Sequence, residues 1–226
     1  MAASTTNITR TSADDAIQRF DTPEAAAKYR AGLTDTPSHR REMRCIQRAL
    51  KDVPRGARVL DLPCGTGRLL PELTAMGFNV TAADVSPHMI DHARTFAAAR
   101  GATIPDNRYC VASVFSTPFA DGEFDAVVCN RLFHHFCEPD VRQSALRELK
   151  RISRGPIIVS FFNSRSFLGC AFHARDRMRK TRARDRVPIS PRTFTKDAEA
   201  AGLTVRSRWM TRPGISKQCY ALLSPA

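Results

Sequence analysis

Two carboxylates and two glycines carry the first chemistry in this chain. Asp61, Gly65 and Gly67 stand together in Asp61-Leu-Pro-Cys-Gly65-Thr-Gly67, and Asp84 ends the next apolar run, Val80-Thr-Ala-Ala-Asp84. Glycine in a turn lets backbone N–H groups approach a ligand closely. A phosphate is a poor fit, because the turn lacks the Gly-Lys-Ser/Thr of a P-loop and carries a carboxylate. An acid at that place suits a cationic ligand. A third group is Asn130 with His134 and His135, in Cys129-Asn130-Arg-Leu-Phe-His134-His135-Phe136. A neutral histidine can take a proton from a hydroxyl. A fourth is the cation run Arg165, Arg175, Arg177, Arg179, Lys180, Arg182, Arg184 and Arg186, set against Asp176 and Asp185. Arginine recognises phosphate or carboxylate through paired hydrogen bonds. Phe161, Phe162, Phe167 and Phe172 could wall such a site; the other reading of this segment is a solvated amphipathic helix.

Alternating strands and helices must position these groups. Strands are expected at 57–62, 78–83, 108–112, 124–129 and 156–161, and helices at 67–76, 87–100 and 139–152. Ser86-Pro87 is a clean helix start and Gly101 a stop. Pro71 is tolerable only in the first turn of its helix. Such alternation gives a parallel sheet with helices on both faces, and places the strand-end residues at the sheet's carboxyl edge, where α/β domains bind ligands. Before this core, residues 1–12 are polar and expected to lack order. Ala13–Ala31 has helical spacing broken near Pro23, and Pro37–Lys51 reads as a further helix with Met43, Ile46, Ala49 and Leu50 inward. After it, Pro191–Ala201 is a helix ended by Gly202, and Leu203–Trp209 and Gln218–Leu223 form an antiparallel closing pair. Arg212 to Lys217 is a second basic loop near the same edge.

Composition bounds the partners. At 226 residues the chain is one domain with appendages, and 42% hydrophobic with 25% charged residues fits a globular protein in water. No apolar run is long enough for a membrane span, and the first residues lack the basic-then-apolar pattern of a secretory signal. Seven cysteines without framework spacing suggest free thiols in a cytoplasmic protein. No Cys-x-x-Cys pair is present, and no metal site is expected. A net charge of +13 permits an anionic partner without choosing between nucleic acid, an acidic membrane and a phosphorylated substrate. High arginine usage is the bland explanation.

The stretch from Asp61 to Gly67, followed by Asp84 and the Phe124-Asp-Ala-Val-Val strand, resembles the class I S-adenosylmethionine (SAM) dependent methyltransferases over roughly residues 57 to 162. The resemblance implies a Rossmann-like α/β fold: a seven-stranded, mostly parallel sheet with an antiparallel C-terminal strand and helices on both faces. It implies SAM as cofactor and S-adenosylhomocysteine as product. It divides the chain into a tail with lid helices (1–52), carrying Tyr29 and Arg30 toward the substrate, and a SAM-binding domain (53–226) with a basic substrate-side insertion around 163–190. By the resemblance, Pro63, Cys64, Gly65 and Gly67 hold the methionine part. Asp61 meets the ammonium, Asp84 the ribose, Val85 and Met89 the adenine, and Asn130 lies beside the methionine moiety. Two positions depart from the pattern. Pro63 replaces the usual first glycine, and Ala112-Ser113 stands where an acid is common, so that Ser113, with Val114, would contact adenine without charge.

The substrate side falls to His134, His135, Phe162, Arg175 and Arg179, with a histidine of the pair as candidate base. Methyl transfer from a sulfonium mostly needs in-line positioning of the nucleophile. The leading expectation is methyl transfer to an oxygen of a small-molecule or lipid/glycan-linked, anionic acceptor. The second is an RNA (tRNA or rRNA) methyltransferase using the arginine segment, less favoured because no base-amine motif, catalytic cysteine loop or RNA module is present. The third is a non-catalytic SAM binder in peripheral contact with an anionic membrane.

Overall fold

A sheet covered on both faces needs strands that are apolar at almost every position. The computed structural model describes residues 11–24, 27, 36–178 and 186–226. It contains β1 (Arg58–Asp61), β2 (Asn79–Asp84), β3 (Tyr109–Val111), β4 (Ala126–Cys129), β5 (Ile157–Phe162), β6 (Leu203–Met210) and β7 (Gln218–Pro225). The order is β3-β2-β1-β4-β5-β7-β6, with β1 to β5 parallel and β7 antiparallel to both of its neighbours. β4 and β5 are buried at every residue. The helices are α1 (Ser12–Phe20), α2 (Pro37–Ala49), α3 (Leu70–Ala75), α4 (Pro87–Ala99), α5 (Pro139–Ile152), α6 (Phe167–Met178) and α7 (Pro191–Ala200).

Adjacent strand residues point to opposite faces, which splits the core in two. Leu60, Val127, Ile157 and Val159 pack with Leu146 and Leu149 of α5 and Phe194 of α7. Val59, Val128 and Ile158 pack with Met43 and Ile46 of α2, Leu73 of α3 and Ala93 of α4. Three of the helices start with the same device: Thr36-Pro37, Ser86-Pro87 and Ser190-Pro191. In each, the hydroxyl accepts a backbone N–H of the first turn, at 3.1, 3.4 and 3.0 Å, while proline fills a position whose N–H has no helical partner.

α3 is shorter than the expected 67–76. Pro71 lacks the N–H that would bond the Gly67 carbonyl, and Gly67 itself takes a positive φ of +81°, so the helix starts at Leu70. The 163–190 excursion is clamped where it leaves and returns. Asn163 bridges Ile189, the Ile189 N–H donates to the Phe162 carbonyl at 2.8 Å, and the Val187 N–H donates to the His134 carbonyl at 2.7 Å. The strand end of β5 and the histidine loop are thereby fixed together.

Candidate functional site

β1 and β2 deliver their C-terminal acids to one edge, and the glycine turn ties them together. The Cys64 N–H donates to the Ala83 carbonyl at 2.8 Å, and the Gly65 N–H donates to Asp84 Oδ2 at 2.9 Å. The Ser86 N–H donates to Asp84 Oδ1 at 3.0 Å. Each Asp84 oxygen thus accepts one backbone donor and keeps capacity for another. Burial pushes the Asp84 carboxyl up to about 6, against the opposing pull of the Ser86, Gly65 and Val85 N–H groups. Gly65 (φ +53°) and the Pro63 and Cys64 positions line a cavity, with a cis bond between Leu62 and Pro63. The structure gives Gly67 a different reason to be glycine. A Cβ there would lie 2.7 Å from the Ala93 Cα of α4.

Asp61 faces the same cavity and is fully buried. Neither of its oxygens has a hydrogen-bond partner among the described residues. Burial drives its carboxyl well above the ordinary range, with Arg68 opposing. Arg68 does not satisfy it, because that guanidinium is already engaged. It donates to Glu42 Oε2 at 2.7 Å and to His39 Nδ1 at 2.9 Å, and His39 Nε2 meets Glu72 at 2.7 Å. A buried carboxylate left without a donor is costly, and a cationic ligand group in the cavity is what would satisfy it. The residues present therefore fit SAM: an orphan acid for an ammonium, and a second acid with free acceptor capacity for a diol.

The remaining lining comes from four directions. Val85 and Met89 follow β2, Ser113 and Val114 follow β3, and Asn130 and Arg131 follow β4. Ala13, Ala16, Ile17 and Phe20 of α1 cover the side toward the N-terminus. The Asn130 Oδ1 accepts from Ser160 Oγ at 3.0 Å and Tyr220 OH at 2.9 Å, so strands β5 and β7 orient the amide. Arg131 is a non-glycine residue at φ +61°, a conformation that costs about 1 kcal/mol and concentrates at functional sites. Its N–H donates to Ser160 Oγ at 2.7 Å and its Nη1 to Glu42 at 3.2 Å.

The histidine pair divides. His135 lines the cavity, edge-on to Phe20 of α1 with ring centroids 5.1 Å apart. His134 stacks on Phe162 at 4.0 Å and is not in the cavity wall. Burial and the nearby cations hold both rings neutral: His135 is lowered to about 3, and His134 well below its usual value. Lys217 also lies over Phe162, its Nζ 4.3 Å from that ring centroid and 4.5 Å from that of Phe172. Burial and the neighbouring Arg186, Arg131 and Arg175 lower the Lys217 ammonium. Among the described residues Lys217 has no carboxylate partner. Arg175 is exposed on α6, while Tyr29, Arg30 and Arg179 lie outside the described residues.

Several contributors carry no local signal in sequence. The Arg68 network joins residues from α2, α3 and the glycine turn. Tyr220 reaches Asn130 from ninety positions away. Arg142 and Asp197, both buried, pair at 2.6 Å across α5 and α7, and Arg142 also donates to the Phe136 and Cys137 carbonyls, pinning the histidine loop. α1 starts at Ser12, within the stretch 1–12 expected to lack order, because Thr11 and Asp14 form a capping box there.

A glycine turn after β1, an acid after β2 and a cavity at the carboxyl edge of a parallel sheet define a doubly wound, nucleoside-binding domain. Residues 59–155 match the family described as a methyltransferase domain. The chain is 39% identical over 111 residues to the demethylmenaquinone methyltransferase of Thermus thermophilus, covering 48% of this chain and 47% of that protein. It is 37% identical over 87 residues to a ubiquinone biosynthesis O-methyltransferase of Xanthomonas axonopodis pv. citri, covering 38% and 35%. The chain thus spans less than half the length of these curated relatives. Its fold is similar to the magnesium protoporphyrin IX methyltransferase of Synechocystis PCC 6803 solved with bound S-adenosylhomocysteine (TM-score 0.72, 13% identity, 95% of this chain and 100% of that one). Residues 59–155 are thus similar to a methyltransferase domain, set in a fold shared with a methyltransferase solved with bound S-adenosylhomocysteine.

Proposed function

We propose that the protein transfers a methyl group from SAM to an oxygen of a small-molecule or lipid-linked, anionic acceptor. The observation that carries the cofactor assignment is the pairing of a buried Asp61 that has no hydrogen-bond partner among the described residues with a half-satisfied Asp84 on one cavity. In this reading Asp61 receives the ammonium, Asp84 the ribose hydroxyls and Ser113 the adenine amine. Val85 and Met89 pack the base, and Gly65 and Asn130 flank the methionine chain. SAM, when bound, supplies a methyl group on a sulfonium leaving group. The acceptor hydroxyl loses its proton as its oxygen forms the new bond to carbon. His135, neutral and in the cavity wall, would accept the hydroxyl's hydrogen bond and relay its proton to water, since its ring holds a proton only weakly. His134 acts through Phe162, holding that ring as a wall of the acceptor space. Lys217 and Arg175, cations at the same sheet edge, favour an anionic acceptor. Tyr29, Arg30 and Arg179 are assigned to the acceptor side with them. α1 serves as the lid of an N-terminal region (1–52) over the SAM-binding domain (53–226), and the 163–190 insertion forms the acceptor side. Relatives named for demethylmenaquinone and ubiquinone biosynthesis support a small-molecule acceptor. Seven free thiols suit a cytoplasmic enzyme.

The net charge of +13 favours a second reading, methylation of RNA. Incubation of the protein with methyl-labelled SAM and a fractionated cell extract separates the two. Label in small molecules or lipid is the expected result. Label confined to RNA and released by ribonuclease would replace the first reading with the second.

A further inference from the structure

α6 opens with two apolar side chains in water. Phe167 is 72% exposed and Leu168 46%, and Ile215 in the loop before β7 is 48% exposed. Two backbone bonds join them. The Phe167 N–H donates to the Gly214 carbonyl and the Leu168 N–H to the Ile215 carbonyl, each at 3.0 Å. Segments nearly fifty residues apart are thus stitched together, and their apolar side chains form one patch. The patch is rigidly seated. Buried Ser166 receives the Gly169 N–H at 3.1 Å and donates to the Asn163 carbonyl at 3.0 Å, and a Cβ at Gly169 would collide with that carbonyl.

Two cations flank it. Arg165 and Arg212 are exposed on the same two segments, and neither makes an ion pair among the described residues. The patch follows β5 and precedes β7, so it lies at the sheet edge that carries Asp61, Asp84 and Asn130. An exposed apolar cluster rimmed by one sign of charge marks an interaction surface. Leu168 and Ile215 offer nothing to a nucleotide base, whereas aliphatic and aromatic side chains beside Arg match the boundary between phospholipid headgroups and acyl chains.

We infer that this patch docks the protein on an anionic phospholipid bilayer. Phe167, Leu168 and Ile215 enter the headgroup–acyl boundary, and Arg165 and Arg212 meet the lipid phosphates. Docking would turn the ligand edge toward the bilayer. The inference stands on the surface alone and does not depend on the acceptor proposed above.

Co-sedimentation of the full chain with vesicles tests it. Binding is expected to phosphatidylglycerol-containing vesicles and not to pure phosphatidylcholine. Phe167→Ser with Ile215→Ser, and separately Arg165→Gln with Arg212→Gln, should each weaken binding by at least about tenfold. Leu168→Ser alone should weaken it by a smaller factor. S-adenosylhomocysteine affinity serves as the folding control and should not change in any of these. Absence of wild-type binding to the anionic vesicles would overturn the inference. So would vesicle binding that the Phe167/Ile215 variant retains in full, or binding of a generic RNA oligonucleotide through Arg165 and Arg212 with no vesicle binding.

Discussion

Gly65 and Gly67 look equivalent in sequence, and the structure predicts that replacing them has different consequences. At Gly67 an alanine Cβ would sit 2.7 Å from the Ala93 Cα and 2.9 Å from the Ala93 carbonyl oxygen, with φ at +81°. Those are backbone atoms of α4, so relief requires the turn and the helix to move apart. At Gly65, with φ +53°, nothing lies within 4 Å of the added carbon. Both variants carry the cost of a left-handed non-glycine residue, about 1–2 kcal/mol. Only Gly67→Ala adds overpacking, about 1–3 kcal/mol. Gly67→Ala is therefore expected to be less stable than Gly65→Ala by about 2 kcal/mol, or roughly 4–8 °C in melting temperature for a chain of this size. Thermal and urea denaturation of the ligand-free proteins, followed by circular dichroism, reads the difference. Equal midpoints, or a less stable Gly65→Ala, would refute the packing role of Gly67.

Asp61→Asn should weaken SAM binding by about 10–100-fold, the value of a charge-assisted hydrogen bond, without lowering the stability of the ligand-free protein. Calorimetry and denaturation check the two halves, and an unchanged affinity would remove Asp61 from the site. SAM affinity should fall as pH drops through about 6, because protonated Asp84 cannot accept from both ribose hydroxyls, and protonation of Asp61, also raised by burial, adds to the loss. The ligand-free protein should respond in the opposite sense. The native Asp84 value lies above the unfolded 3.8, so its stabilisation is full below about 4 and is lost as pH rises through about 6. His135, at about 3, stays neutral across this range, so His135→Gln should retain the acid limb; an affinity that does not vary between pH 5 and 8 would contradict this. Asp197→Ala leaves buried Arg142 without its carboxylate and should cost about 3–5 kcal/mol in urea unfolding. The double change Arg142→Met with Asp197→Leu should recover part of that loss.

Strand positions and most helix limits were readable because each signal is local. Ser86-Pro87 marks a helix start, and the apolar run Ile157–Phe162 marks a strand buried on both faces. That the acids at 61 and 84 reach one sheet edge was readable because each ends such a run, and both line the cavity there. What was not readable depends on contacts between distant segments. Nothing near His134 and His135 says that one faces the cavity and the other stacks on Phe162. That division comes from the turn after β4 and from α1 bringing Phe20 onto His135. Gly67 resembles a ligand-binding glycine until Ala93 is placed against it. Lys217 reads as one cation in a basic loop until the β5–β7 pairing brings it onto the Phe162 ring. The start of α3 was misjudged by composition, since the helix formers at 68–70 cannot supply the hydrogen bond that Pro71 lacks.

The most direct measurement is calorimetric titration of S-adenosylhomocysteine into the purified protein and into Asp84→Ala. One-to-one binding by the wild type, absent from a variant whose circular dichroism is unchanged, is the predicted result. Failure of the wild type to bind, or equal affinity in the variant, would contradict the assignment of the cavity.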